Sequence, residues 1–366
     1  MKVCFVALGV YPLFFHGTYT GQIGGSELQQ KLIGEALSAK GAQVSFISHD
    51  VGQPDFLHRG GLTFIKSFAP SAGLPGIRFF HPRLTEIWKA LIKADADVCY
   101  CRAAGFLPGV LTLFCRIYRK KFVFAGASDT DFLPDHHIIP TQRDKLLYRF
   151  GIRRADAIVV QSAKQQALLR ANFGRDGIVI RNFHDGEARI LPESERRVIL
   201  WVSTIRSLKR PMLFIQLAQA LPQERFVMIG GRDGSNPELF QSVSEQCAAL
   251  PNLEFLGFQP LEVTERYFDQ SKLFVNTSEH EGFPNTFLQA WRRGIPVVSF
   301  VDPDDVIRNN SLGCVVIGDQ SLPEVVRSVL DAPPDAEKIR VYFQKNHASG
   351  VAEQYLHVFG SLVRGA

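Results

Sequence analysis

Two carboxylates in the second half of the chain stand where a strand ends and a helix begins. Glu279 and Glu281 follow an apolar run that predicts a buried strand over 272–276, and Pro284 suits the first position of a helix over 284–293. Unpaired N–H groups at a helix start bind anions, while carboxylates accept hydrogen bonds from sugar hydroxyls. The stretch therefore predicts a site for a sugar diphosphate.

Two cations stand at a second junction of the same kind. Arg206 and Lys209 lie between a predicted strand over 198–203 and a predicted helix over 210–220. Fixed cations facing a diphosphate would stabilise the negative charge that grows on the leaving oxygen as a glycosidic bond breaks. The alternative is a pair of solvated cations at a helix start. We expect Arg210, next to them, to lie on the surface.

The spacing around the carboxylates carries a family resemblance. Glu281 and Gln289 enclose seven residues, and residues 281–285 are Glu-Gly-Phe-Pro-Asn. The sequence resembles the retaining family 4 glycosyltransferases of the GT-B fold, which carry Glu-x7-Glu within a Glu-Gly-Phe-x-Asn setting. Gln289 stands where the family has a Glu that hydrogen-bonds the ribose, and an amide still donates and accepts hydrogen bonds. We therefore expect nucleotide binding to persist, and Gln289→Glu to keep or improve it.

The resemblance implies a reaction as well as a fold. Arg206, Lys209 and Glu281 would be catalytic in a retaining transfer without a metal: the cations hold the leaving diphosphate, Glu281 orients the donor sugar, and the leaving phosphate takes the acceptor's proton. No cofactor is implied beyond a nucleotide-sugar donor, with a UDP- or GDP-sugar favoured. The implied donor-binding residues are Gly24, Gly25, Gly230, Phe258, Glu279, Gly282, Phe283, Pro284, Asn285 and Gln289.

Two loops of the first half could also contact a substrate. Gly24 and Gly25 lie between the first strand and the first helix, where glycines let a backbone approach a ligand closely. A flexible entry loop is the alternative. Ser128 and Asp129 follow a predicted strand over 122–125, and we expect Asp129 to bind a sugar hydroxyl or the acceptor. Helix capping by one of the aspartates in this loop is the alternative.

Short apolar runs alternate with helical patterns, which is typical of βαβ units and mainly parallel sheets. We predict two doubly wound, Rossmann-like α/β domains facing across a cleft, as in the GT-B fold, with ligands beyond the carboxyl ends of the strands. The acceptor-side domain is predicted over 1–183 with about 350–366, since the resemblance implies that the closing helix crosses back to it. The nucleotide-sugar domain is predicted over 198–345, after a polar linker.

The amino-acid composition and net charge argue against several classes of function. Hydrophobic residues make up 46% of the 366-residue chain, and the formal net charge of +5 is too weak to indicate nucleic-acid binding. Its six cysteines are scattered without metal-ligand spacing, which favours reduced cysteines that serve as small apolar residues. The apolar start of the chain predicts a first buried strand rather than a signal peptide, and no segment is long enough to predict a transmembrane helix.

A basic amphipathic helix is predicted over 143–154. Its spacing would bring Leu146, Leu147 and Phe150 together with Ile152, flanked by arginines. Such a helix is typical of a membrane-surface contact, and the alternative is a surface helix that packs its apolar face on the sheet. Segment 53–82, rich in Gly and Pro, is either an acceptor-side loop or a structural hairpin.

The sequence thus predicts a cytoplasmic enzyme, peripheral on the membrane if the basic helix binds there, that acts in cell-surface polysaccharide synthesis. It would move a sugar from a nucleotide-diphosphate donor to a saccharide or lipid-linked saccharide. Two alternatives remain open at this point. The chain could be a catalytically silent relative that binds nucleotide sugar and supports a partner enzyme, because Gln289 replaces a Glu and the family's donor-contacting His is missing after the strand over 122–125. A nucleotide-sugar epimerase is the other.

Overall fold

Two mainly parallel sheets form the framework of the protein, one in each of two units. The computed structural model describes residues 1–15, 24–135, 139–184, 186, 188–233, 236–348 and 350–365. The first unit consists of Met1–Phe183 with Ser349–Ala366, and the second of His184–Ala348. The predicted class, two doubly wound α/β units, is confirmed.

The first unit has an eight-stranded sheet in the order β3-β4-β2-β1-β5-β6-β7-β8. Its central strands are buried on both faces and therefore read as continuous apolar runs, which is why the sequence revealed them. The strands are β1 Lys2–Val6, β2 Gln43–Ser48, β3 Phe56–Arg59, β4 Leu62–Lys66, β5 Val98–Arg102, β6 Lys121–Ala125, β7 Ala157–Val160 and β8 Ile178–Val179, and the helices are α1 Gly25–Ala39, α2 Thr85–Ala94, α3 Leu107–Tyr118, α4 Gln142–Arg154 and α5 Ala163–Phe173.

Segment 53–82 contains an antiparallel hairpin at the edge of this sheet. Strands β3 and β4 pair from Phe56 with Ile65 to Arg59 with Leu62, so the hairpin alternative holds for this part. The residues that follow leave three large apolar side chains exposed, at 69% for Leu74, 57% for Ile77 and 61% for Phe80. An acceptor role for this segment stays a prediction.

Helix α4 shows a different face from the one its spacing predicted. Ile152 is buried with Tyr148, whereas Leu146 and Phe150 are exposed. The reason is close packing on α3: a Cβ added to Gly151 would lie 2.3 Å from the carbonyl carbon of Pro108. The glycine side of the helix therefore faces inward, and Leu146 and Phe150 point away from it.

The second unit has a six-stranded sheet in the order β11-β10-β9-β12-β13-β14. All of its strand pairs are parallel, so the loops at the carboxyl ends of β10, β9 and β12 are neighbours. The strands are β9 Val198–Val202, β10 Arg225–Ile229, β11 Leu253–Phe255, β12 Ser271–Asn276, β13 Val297–Ser299 and β14 Gly313–Val315, and the helices are α6 Pro211–Ala220, α7 Pro237–Ala248, α8 Leu261–Asp269, α9 Asn285–Trp291, α10 Val306–Asn309, α11 Leu322–Asp331 and α12 Ala336–His347.

The helix predicted over 284–293 is shorter than expected. Pro284 has an extended backbone with ψ 127°, so α9 begins one residue later, at Asn285, and it ends at Trp291. The helix turn at the other junction, Ser207–Lys209, precedes α6, which begins at Pro211. Both junctions nevertheless have the predicted order of strand, loop and helix.

The last helix, α13 (Val351–Arg364), belongs to the first unit, as the resemblance implied. The ring centroids of Tyr355 and Phe359 lie 6.2 and 6.0 Å from that of Tyr100 on β5, and Lys40 bonds Glu353 at 3.0 Å. All six cysteines are free. Within the described ranges, no helix has the length and apolar character needed to cross a membrane.

Candidate functional site

The polar loop after β12 positions the carboxylate of Glu281 through its own side chains. Ser278 donates its hydroxyl to Glu281 Oε1 at 2.7 Å, and Asn276 donates its amide to the same oxygen at 3.4 Å. Asn276 Oδ1 in turn accepts the backbone N–H of Ser278 at 2.9 Å. Glu281 is thus fixed in one orientation, and among the described residues no side chain donates a hydrogen bond to its other oxygen, Oε2.

Lys209 meets this carboxylate from the neighbouring loop. Its Nζ lies 2.6 Å from Glu281 Oε1, and both side chains are largely buried. The two loops are also joined through the backbone, since the N–H of Glu279 donates to the carbonyl of Leu208 at 3.0 Å and Thr277 Oγ1 to that of Lys209 at 2.6 Å. The structure therefore brings together Lys209 and Glu281, which the sequence had placed at separate junctions.

Arg206 points toward a third loop. Its Nε lies 2.9 Å from Asp233 Oδ2, in the loop after β10, and about half of its side chain is exposed. Asp233 was not among the predicted site residues. The ion pair uses one edge of the guanidinium, whose terminal amino groups are further donors for an anion. The carboxyl ends of β10, β9 and β12 thus present two cations and two carboxylates side by side.

Arg210 is not the surface residue that we expected. Its Nε donates to the carbonyl of Thr277 at 2.7 Å, and its guanidinium lies 4.3 Å from the ring centroid of Phe300. Burial lowers the pKa of Arg210 below its ordinary value. Its neighbours explain the difference, because Arg210 is held by the backbone of the loop after β12, whereas the side chain of Arg206 is about half exposed.

The residues between Glu281 and α9 differ in exposure. Glu279 is exposed, whereas Gly282, Phe283 and Pro284 are buried. The ring of Phe283 packs on His347, with ring centroids 4.9 Å apart, and on Trp291. Phe283 therefore anchors the loop in the core. Donor-binding roles for this segment and for Asn285, the first residue of α9, stay predictions.

Gln289 is buried inside an unexpected charged cluster. Its Nε2 donates to Glu265 Oε1 on α8 at 2.8 Å. The same carboxylate contacts Arg292, Arg293 at 2.6 Å and His184 at 3.5 Å. Burial alone would raise the pKa of Glu265, but the hydrogen bond from His184 and the two arginine charges hold it well below its usual range. Glu265 is therefore an ionised carboxylate.

Gly230 and Phe258 lie beyond the ends of β10 and β11. A Cβ on Gly230 would lie 2.2 Å from the carbonyl oxygen of Ser203, so only glycine fits against the start of the β9–α6 loop. The N–H of Gly230 donates to the carbonyl of Gly257 at 2.8 Å. The side chain of Phe258 is 41% exposed. Its contact with the donor stays a prediction.

Gly24 and Gly25 lie at the start of α1, and their donor-binding roles stay predictions. Gly24 precedes α1 and Gly25 begins it; a Cβ on Gly24 would lie 2.6 Å from Glu27 Oε2. The preceding part of that loop, Gly21 included, lies outside the described residues, as do His136 and His137.

The loop after β6 uses its acidic residues in two ways. Asp131 Oδ2 accepts the N–H of Ala127 at 2.7 Å and that of Ser128 at 3.2 Å, and Ser128 Oγ accepts the N–H of Thr130 at 3.4 Å. Ser128 and Asp131 thus cap a short 3-10 helix, Asp129–Phe132, as the alternative proposed. Asp129 is paired with Lys164, 2.8 Å from its Nζ.

Comparisons with known proteins identify the family. A model described as glycosyl transferases group 1 matches residues 185–346, and one described as glycosyltransferase family 4 matches residues 23–187. The chain belongs to the family 4 glycosyltransferases. A sucrose-phosphate synthase from Thermosynechococcus elongatus shares the fold of this glycosyltransferase, with a TM-score of 0.78 and 16% identity over 100% of this chain and 99% of that one.

Two further proteins are similar to this glycosyltransferase. Anabaena HepE, solved with UDP-glucose, aligns with a TM-score of 0.71 and 16% identity over 99% of this chain and 100% of that one. A lipopolysaccharide 1,6-galactosyltransferase from Salmonella typhimurium is 30% identical over 156 residues. That match covers 40% of this chain and spans 43% of the relative's length.

The glycosyltransferase also contains a cavity that the sequence did not reveal. It has a volume of about 760 Å³ in the second unit and is lined by Arg292, Arg340, Lys345 and their neighbours, with no predicted site residue among them. Glu265 and Asp233 were missed as well. A signal for Glu265 existed: Arg292 and Arg293 directly follow a helical stretch that contains Phe287, Leu288 and Trp291, and buried arginines require partners such as buried carboxylates. Within the described ranges, no three His, Cys, Asp or Glu side chains form a metal-binding group.

Proposed function

We propose that this glycosyltransferase moves a sugar from a UDP- or GDP-sugar to a saccharide or lipid-linked saccharide acceptor. The observation that carries the proposal is the contact between Lys209 and Glu281 at the carboxyl ends of β9 and β12. Lys209 is a cation that can bind a phosphate, and Glu281 is a carboxylate that can accept a hydrogen bond from a sugar hydroxyl. The two side chains are in direct contact. The UDP-glucose bound to HepE and the galactosyltransferase activity named for the Salmonella relative support the same class of substrate.

In the proposed reaction, Arg206 and Lys209 stabilise the departing diphosphate. Negative charge grows on the leaving oxygen in the transition state, and fixed cations lower the barrier because they need no reorganisation at that moment. Glu281 Oε1 is occupied by Lys209, Ser278 and Asn276, so Oε2 is the oxygen that would accept a hydroxyl of the donor sugar. The bond to the diphosphate breaks as the acceptor oxygen attacks the same face, and the leaving phosphate takes the acceptor's proton.

This mechanism requires no metal and retains the configuration at the transferred carbon. Both features can be tested in one assay: the anomeric configuration of the product is read by NMR, with and without a chelator. We expect a retained anomer and an unchanged rate in the chelator. An inverted product, or activity that requires an added divalent cation, would refute this part of the proposal.

Donor binding is tested by the thermal shift that UDP, GDP, ADP and their sugars produce. A ligand at 100 times its dissociation constant adds about 2.7 kcal/mol to the free energy of unfolding. We expect the nucleotides of one base to raise the stability of the wild type, and to raise that of the Arg206→Ala variant much less. Binding without transfer to any saccharide would identify the chain as a silent relative, and no binding would refute the proposed donor site.

The exposed apolar and basic surface of the first unit supports a peripheral membrane contact. Leu146 and Phe150 protrude from α4 among its arginines, and Arg143 lies 3.5 Å from the ring centroid of Phe79. Each cation near an anionic leaflet contributes about 1 kcal/mol. Co-sedimentation with anionic phospholipid vesicles should fall severalfold for Leu146→Ser/Phe150→Ser and stay unchanged for the matched surface variant Ile92→Ser. Equal binding by all three proteins would contradict this contact.

A further inference from the structure

The contact between Gln289 and Glu265 determines which atom of the Gln289 amide can still form a hydrogen bond with a ligand. A side-chain amide has one donor end and one acceptor end, and an ionised carboxylate can only accept hydrogen bonds. Glu265 Oε1, 2.8 Å away, must therefore take the NH₂ group of Gln289. The carbonyl oxygen of the same amide accepts no hydrogen bond from the residues that the structure describes.

The surroundings hold Glu265 in this role. Its second oxygen contacts Arg292 and Arg293, and Arg293 is itself tied to Asp269 Oδ1 at 2.7 Å and to the backbone carbonyl of Gln289 at 2.9 Å. The guanidinium of Arg293 thus clamps α8 to the turn of α9 that carries Gln289. The amide cannot rotate without breaking a hydrogen bond to a charged group, and such bonds are roughly twice as strong as neutral ones.

We propose that Glu265 is a positioning residue that turns the carbonyl oxygen of Gln289 toward the ribose hydroxyls of the donor. The inference rests on the proposed donor site. It also reverses our expectation for Gln289→Glu, because a carboxylate at 289 would face Glu265 and the two charges would repel.

The test compares the affinities of the ribonucleoside diphosphate that the wild type binds and of its 2′-deoxy and 3′-deoxy forms, measured calorimetrically at pH 8. Loss of one neutral hydrogen bond lowers affinity by about tenfold. We expect the wild type to bind at least one deoxy form about tenfold more weakly, and both Glu265→Gln and Gln289→Glu to lose that discrimination. The double variant Glu265→Gln/Gln289→Glu, which restores one charge and one amide, should regain it.

Asp269→Asn is the matched control. It removes another carboxylate bound to Arg293 but does not touch Gln289, so it should destabilise the fold and leave the discrimination intact. Undiminished discrimination in Gln289→Glu, which keeps Glu265 with its arginines, would overturn the proposal even if Glu265→Gln fails to fold. A wild type that binds the diphosphate without distinguishing deoxyribose would overturn it too. Failure to bind any nucleoside diphosphate would instead refute the proposed function.

Discussion

The loops after β6 and β12 are similar in sequence, but their carboxylates have different partners. Each follows a buried strand with a run of small polar residues and two acidic ones. In the β12 loop, Glu281 pairs with Lys209 on another loop, and its side-chain donors among the described residues all bind Oε1. In the β6 loop, Asp131 accepts the N–H groups of Ala127 and Ser128 from its own backbone, together with a backbone hydrogen bond from Ala104 after β5.

The difference is that Glu281 forms an ion pair with a cation of a neighbouring loop, whereas Asp131 is held by backbone N–H groups. Burial raises the pKa of Asp131, although the N–H groups of Ala127 and Ser128 oppose that shift. This carboxylate supports the loop and is shielded from ligands. Asp129, next to it, is the residue that keeps an exposed cationic partner, Lys164.

The largest expected effect is in the β12 region. Lys209→Ala or Arg206→Ala should lower kcat by about 10² to 10³, because each removes a cation that acts on the leaving group. The matched control is Lys164→Ala, which removes a cation paired with a carboxylate in the first unit. The measurement is kcat of the three variants under steady-state conditions. Equal, small losses in all three would show that the β9–α6 cations are solvated and not catalytic.

Asp131→Ala should affect stability rather than catalysis. It leaves the N–H groups of Ala127 and Ser128 without their acceptor, at a cost of about 1–3 kcal/mol in the free energy of unfolding. Urea denaturation measures that loss, and KM for donor and acceptor should stay within error. A variant of full stability with a raised acceptor KM would make Asp131 a substrate contact, and the contrast between the two loops would disappear.

Lowering the pH should change the contributions of Glu265 and Asp131 to the free energy of unfolding in opposite directions. Glu265 has a lowered pKa when folded, so its contribution to stability is complete above its unfolded pKa and is lost as the pH falls toward the folded value. Asp131 has a raised pKa, so its cost at neutral pH disappears as the pH falls through that value. Relative to the wild type, Glu265→Gln should weaken acid destabilisation and Asp131→Asn should strengthen it, as followed by urea denaturation between about pH 3 and 7. Shifts in the same direction would contradict this assignment.

The smallest effect is expected for Asp129→Asn. Its partner Lys164 is 65% exposed, and surface ion pairs contribute only about 0–1 kcal/mol, so stability should hardly change. If Asp129 binds the acceptor, KM for the acceptor should rise severalfold while KM for the donor stays constant. An acceptor KM equal to that of the wild type would leave the residue with a surface role alone.

The sequence predicted those parts of the structure that depend on the apolar pattern of a single segment. Buried parallel strands must be apolar, so the strands and the loops at their ends were predictable, and with them the neighbourhood of Lys209 and Glu281. Tertiary partners were not: Gln289 meets Glu265 from 24 residues away, and nothing in the spacing of α8 shows which of its acidic residues turns inward. Arg210 was misjudged for the same reason, since its partners, Thr277 and Phe300, lie on other strands' ends.

The placement of α13 in the first unit has a consequence for biosynthesis. The second unit is one uninterrupted stretch, His184–Ala348, whereas the first requires residues from both ends of the sequence. A ribosome that adds about 5–20 residues per second synthesises β8 roughly 9–35 s before α13. During that interval Tyr100 lacks the rings of Tyr355 and Phe359, so the second unit can finish folding before the first unit receives its last helix.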